Sequence, residues 1–195
     1  MHVYLNWTKQ RMAEMDATLA SLEAKATQVK TDSKVKADQL IADLKKRRDE
    51  FKANAKAQAQ ASDAALHTAK VQLESQWKGF ETQVQTYFDT VGKHIELQKT
   101  TFHDVAAAQT KAWREAAEKL QAEAAKVTAA KRADIDAAVK QIKADATEAE
   151  ARLQKLKQAG GESWAVLSGA LAESRKTFDQ ASQKAWETFK RASAA

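Results

Sequence analysis

The chain has 195 residues, 30% of them charged, with a formal net charge of +6, five glycines, no proline and no cysteine. So few turn-forming residues exclude a loop-rich or many-stranded fold, and the lack of cysteine excludes disulfides and thiol chemistry. The basic excess is spread out, +2 over residues 1–97 (15 basic, 13 acidic) and +4 over 98–195 (17 basic, 13 acidic), which argues against the concentrated patch of a nucleic-acid-binding domain.

Met1-His2-Val3-Tyr4-Leu5-Asn6-Trp7 shows no basic region followed by an apolar core, so it does not read as a secretory signal. No apolar run approaches the ~20 residues of a membrane span. The expected location is the cytoplasm, with the periphery of a membrane or granule as the alternative.

From Val29 to Phe102 an apolar stripe recurs every eleven residues. One row is Val29, Leu40, Phe51, Ser62, Leu73, Val84, Ile95. A second is Leu44, Ala55, Leu66, Trp77, Phe88, and a third is Gln58, Ala69, Phe80, Val91, Phe102. Eleven residues are close to three helical turns, so all three rows share one helix face. Ala, Lys, Glu, Gln and Leu, the strong helix formers, dominate the rest. The basic run Lys45-Lys46-Arg47-Arg48 is followed at once by Asp49-Glu50 and reads as a solvated helix face.

Breaks are marked at Ala61-Ser62-Asp63, where Ser or Asp can cap a helix, at Thr90-Val91-Gly92-Lys93, and most strongly at Gly160-Gly161. The stripe passes the first two without changing phase, which argues for continuity there. The predicted fold is therefore all-α: an elongated antiparallel bundle or coiled coil of three long helices, about 3–90, 95–158 and 162–192. Four helices, with a further reversal near Ser62, are the alternative. At 1.5 Å per residue the first helix would be about 130 Å long.

A weak internal duplication accompanies the stripe. An offset of 98 matches Met15 with Trp113, Leu22 with Leu120, Val29 with Val127 and Leu44 with Ile142. Further on, an offset of 87 matches Trp77 with Trp164 and Phe102 with Phe189. This divides the chain into a first helical module, 1–97, read as a degenerate copy, and a second, 98–195. A single elongated bundle is the alternative.

Catalytic or metal chemistry finds no signature. His2, His67, His94 and His103 include no pair three or four apart, the spacing that puts two ligands on one helix face. There is no Glu-x-x-His and no glycine-rich phosphate loop. The chain is expected to be no enzyme, with no catalytic residue, cofactor or metal. The five tryptophans are the exception to an otherwise bland composition. Those of the last helix, Trp164 and Trp186, with Phe178 and Phe189, alternate with Lys184, Lys190 and Arg191. These seven residues are the candidate interaction surface. They either bury against a helix or enter a lipid interface, where aromatic residues lie opposite basic ones.

The segment Leu156-Lys-Gln-Ala-Gly-Gly-Glu-Ser-Trp164-Ala-Val-Leu167-Ser-Gly-Ala-Leu171, followed by Phe178-Asp-Gln-Ala-Ser-Gln-Lys-Ala-Trp186-Glu-Thr-Phe189, resembles a bacterial family of small stress-responsive coiled-coil proteins of unknown activity. The likeness covers residues 113–192 well and 15–102 only as a degenerate copy, in which Leu73-Glu74 stand where Gly160-Gly161 should be. It implies a helical protein with no catalytic residue to carry over. A weaker likeness is to phasins, which coat polyester granules, and to the eleven-residue repeats of apolipoproteins and desiccation proteins. The expected function is that of a non-enzymatic scaffold that self-associates, as a homodimer or higher, or binds a partner coiled coil. Binding at an anionic membrane or granule surface is the alternative, and a nucleic-acid partner is disfavoured.

Overall fold

A computed structural model describes residues 2–58, 63–91, 95–125, 129–158 and 164–194. These are helical almost throughout, in six helices: α1 (His2–Lys25), α2 (Thr31–Gln58), α3 (Asp63–Val91), α4 (Ile95–Ala124), α5 (Ala129–Gln158) and α6 (Trp164–Ala194). The all-α expectation holds. The count of three or four long helices does not, because the stretch predicted as one helix over 3–90 contains three.

The first interruption follows Lys25. A 3-10 turn, Ala26–Gln28, leads to Val29 in extended conformation at φ −71°, ψ 135°. Val29 is buried, so the chain leaves the helix while keeping an apolar anchor in the core. Asp32 and Glu96, in the first turns of α2 and α4, meet the positive helix ends, and Lys25, Lys56 and Arg191 sit in the last turns of α1, α2 and α6, as the helix dipole favours. Of the breaks marked in the sequence, Ser62, Gly92, Gly160 and Gly161 themselves lie outside the described residues.

Each row of the stripe is buried where its side chains are described: Leu40, Phe51, Leu73 and Val84; Leu44, Ala55, Trp77 and Phe88; Ala69, Phe80, Val91 and Phe102. Only Gln58 is half-exposed, at the end of α2. The stripe is thus a correct list of core positions, shared among α2, α3 and α4. Phase is conserved across the reversals because each helix turns its apolar face to the same core.

Helices adjacent in the chain pack as α1–α2–α3 and α4–α5–α6, α1 makes its most extensive contact with α4, and α6 meets α4, α1 and α3. One apolar core draws on all six. Ser21 meets Thr101 and Glu14 meets Gln109, so α1 and α4 run antiparallel. The Arg48 side chain pairs with Asp16, and Lys45 with Glu23. The basic run thereby ties α2 to α1 at the edge of the bundle. Under the offset of 98, buried positions fall on buried positions in all three helix pairs. Met15 and Trp113, Ile41 and Val139, and Phe88 and Trp186 are examples. The offset of 87 also preserves phase, but it sets Phe102 of α4 against Phe189 of α6. The helix boundaries favour 98 throughout, and Gly160-Gly161 then correspond to Ser62-Asp63, not to Leu73-Glu74.

Candidate functional site: a buried charge cluster beside an aromatic cleft

The inward face of α1 departs from the apolar pattern. Asn6, Gln10, Glu14, Thr18 and Ser21 recur at helical spacing and are buried, as is Arg11. Buried polar groups need partners. Helices α4 and α6 supply them to Arg11, Glu14 and Ser21, and Thr18 bonds back to the Glu14 carbonyl. The Gln10 amide and the Asn6 amide nitrogen are without one among the described residues. Glu14 has no exposed surface. It accepts hydrogen bonds from Arg11 Nη1 at 3.2 Å, Gln109 Nε2 at 3.1 Å and Arg175 Nε at 2.8 Å. Arg11 Nη2 reaches Asp179 at 2.6 Å, and Arg175 Nη1 reaches Glu81 at 2.7 Å. Cations from α1 and α6 and an amide from α4 therefore close on a single carboxylate, and Glu81 of α3 joins the cluster through Arg175.

Trp77 of α3 sits among these cations. Arg175 lies 4.9 Å and Arg11 5.5 Å from its ring centroid, so the electron-rich indole adds attraction. Burial alone would lower the Arg175 pKa, but the Glu14 and Glu81 carboxylates outweigh it and hold the guanidinium above its ordinary value. Burial pushes the Asp179 carboxyl up. Arg11 opposes the rise and Glu14 adds to it.

Beside the cluster a cleft of about 370 Å³ opens between α3 and α6. Trp77, Phe80 and Val84 line it from α3, Trp164 and Leu171 from α6, and Val105 from α4, with Glu14, Glu81 and Arg175 at its polar end. Gln98 of α4 fixes the start of α6 here by accepting the Trp164 N–H at 2.8 Å. The first N–H groups of a helix have no partner of their own, so this contact sets where α6 enters the bundle.

Of the residues singled out in the sequence, Trp164 joins the cleft, its ring 4.6 Å from that of Phe88. Phe178 stacks on Trp113 at 4.9 Å, and Trp186 meets Phe189 edge-on at 5.4 Å. Trp164, Phe178 and Trp186 are buried and Phe189 half-buried, whereas Lys184, Lys190 and Arg191 are exposed. The aromatic and basic residues thus occupy opposite faces of α6, and the aromatic face is core of this same chain. Among the described residues no free surface combines them.

Arg11, Glu14, Gln109, Arg175 and Asp179 form no recognisable motif in the sequence. One signal was present. Arg175 stands four residues after Leu171 and three before Phe178, on the apolar face of α6. Among the described residues no group of three His, Cys, Asp or Glu side chains is placed to hold a metal ion, and no helix is long and apolar enough to cross a membrane. No family model matches the sequence, and no curated protein and no solved structure matches it.

Proposed function

We propose that the chain is a non-enzymatic helical scaffold that works by binding, to a second copy or to a partner coiled coil. The observation that carries this reading is the Arg11–Glu14–Arg175 cluster. Its charged groups converge on one another and join α1, α3 and α6, so they serve the bundle and not a reacting molecule. Residues 1–97 and 98–195 are, in this reading, two copies of one three-helix module, which the common offset of 98 supports.

The apolar faces are consumed internally. Among the described residues the exposed large apolar side chains are Val35, Val71 and Val166. A partner therefore meets the outer helix faces, where both signs of charge alternate. On α6 these are Glu173, Lys176, Lys184, Glu187, Lys190 and Arg191, all exposed. Mixed charge along a long helix suits pairing with another charged helix, and such exposed pairs weaken in salt. Light scattering over a concentration series, at low and high salt, is the test. A dimer at low salt that dissociates at high salt is expected, and a monomer under every condition overturns self-association.

The second reading is a lipid or granule surface. It draws on Lys184, Lys190 and Arg191 facing outward from the helix that holds Phe178 and Trp186 inward. It requires α6 to leave the bundle and turn its aromatic face to the surface. Co-sedimentation with anionic vesicles at low salt is the expected sign, and no binding there removes this reading.

A further inference from the structure

We propose that the cleft between α3 and α6 binds a small amphiphile, an apolar body carrying a carboxylate head. Its volume of about 370 Å³ lies within the roughly 300–1,000 Å³ of small-molecule sites. Its walls are of the right kind. Trp77, Phe80 and Trp164 supply flat aromatic surface, and Val84, Val105 and Leu171 supply aliphatic surface.

The head group follows from Arg175. This side chain is 8% exposed and lines the cleft. Its Nε and Nη1 are committed to Glu14 and Glu81, and its Nη2 makes no hydrogen bond among the described residues. A planar guanidinium with a spare donor is a fitting carboxylate partner. Lys78 stands on the exposed rim of the same cleft and adds a second positive charge. A cationic head is disfavoured. The Glu14 oxygens already accept three donors, and Arg11 and Arg175 already occupy the aromatic ring of Trp77. Glu81 is the carboxylate with an oxygen to spare, and Lys78, three residues before it, offsets that charge.

Gly169 lies on the open side of the cleft. It lies inside α6 and lines the cleft, and a Cβ built on it meets nothing within 4 Å. Glycine within a helix is disfavoured relative to alanine. Close packing within the chain does not require it here. Ala165, Ser168 and Ala172 continue the low wall along the same face of α6. Gly169, Ala165 and Ala172 are exposed, so this wall of small residues leaves the cleft open to an entering molecule.

Isothermal titration calorimetry of the full chain tests this, with decanoate and 2-naphthoate as probes and decylammonium as the charge-reversed control. The two carboxylates distinguish a flexible chain from a flat ring as the preferred body. Saturable binding of at least one of them is expected, at one site per chain, with decylammonium about tenfold weaker or worse. Gly169→Leu fills the cleft from an open position and is expected to weaken binding by about tenfold without lowering the thermal midpoint. Lys78→Gln is expected to weaken it by about threefold, as for one solvent-exposed charge. The proposal is overturned if neither carboxylate saturates, if decylammonium binds equally well, or if Gly169→Leu binds as the wild type does.

Discussion

Glu14 and Arg175 stand 161 positions apart in the chain and form an ion pair at 2.8 Å, with Glu14 wholly buried and Arg175 nearly so. The pair joins α1 to α6 across the two halves of the protein. Charges withdrawn from water are costly unless they are paired and hydrogen-bonded. Glu14 meets that condition with its two arginine partners and Gln109. The cluster therefore specifies which faces of α1, α3, α4 and α6 meet, a choice that apolar packing alone leaves loose.

Removing the central carboxylate strands two buried cations. Glu14→Gln keeps the shape of the side chain and leaves Arg11 and Arg175 with only Asp179 and Glu81. The expected loss is about 3–5 kcal/mol of unfolding free energy, as for breaking a buried pair from one side. Urea unfolding followed by circular dichroism measures it. A loss no greater than that of an exposed pair, under about 1 kcal/mol, would show that the cluster is solvated.

Asp179 links this cluster to pH. Burial, helped by Glu14 and opposed by Arg11, Lys70 and Arg175, raises its carboxyl above the ordinary 3.8. The folded protein then holds that proton more tightly than the unfolded chain does. Asp179 favours folding fully below 3.8, and this contribution is lost as pH rises through the raised value. Asp179→Asn is neutral at every pH. Its stability relative to the wild type is therefore expected to be better near neutral pH than below 3.8. Urea midpoints for both proteins at the two pH values give the comparison, and the reverse order would refute the raised value.

The two glycines described inside helices separate backbone cost from packing. A Cβ on Gly169 meets nothing within 4 Å, whereas one on Gly79 of α3 lies 3.0 Å from Arg47 Nη1. Gly169→Ala is expected to stabilise the protein by about 1 kcal/mol, the helix-propensity difference. Gly79→Ala gains less, because the end of the flexible Arg47 side chain has to move. Thermal midpoints should rank Gly169→Ala above Gly79→Ala, and both at or above the wild type.

Much of this architecture was legible in the sequence, and the failures have physical causes. The stripe names core positions such as Leu44, Phe80 and Phe102 because apolar periodicity reports burial directly. It does not report continuity. Three helices facing one core keep a common phase, so an unbroken period of eleven hides the ends at Lys25 and Gln58. Ser62, Gly92 and Gly160-Gly161, the breaks marked by residue chemistry, lie outside the described residues, between the bounds of successive helices. The Ala26–Val29 turn has neither glycine nor proline and is decided by tertiary packing of Val29. The charge cluster was hidden for another reason. Glu14, Arg11 and Asp179 look like the many solvated charges of this chain until α1, α4 and α6 are brought together. Aromatic residues were the easier signal, and Trp164 alone among those singled out on α6 lies at the cleft.

The division of the first ninety residues into three helices has a direct chemical test at Thr31. Thr31 is the first residue of α2, and the residue before it, Lys30, lies outside any helix. Proline is tolerated at a first helical position, because the N–H it removes has no helical partner there and its fixed φ suits the helix. The preceding residue must avoid the helical region, and Lys30 is free to do so. Thr31→Pro is therefore expected to change stability by less than about 1 kcal/mol. Gln39→Pro, in the interior of α2, is expected to cost about 3 kcal/mol or more through a lost hydrogen bond and a clash with the preceding turn. In a continuous helix over 3–90 the two substitutions would be equally damaging. Equal losses at Thr31 and Gln39 would thus restore the single long helix, whereas a tolerated Thr31→Pro fixes the turn after Lys25 and with it the antiparallel placement of Glu14 against α4 and α6.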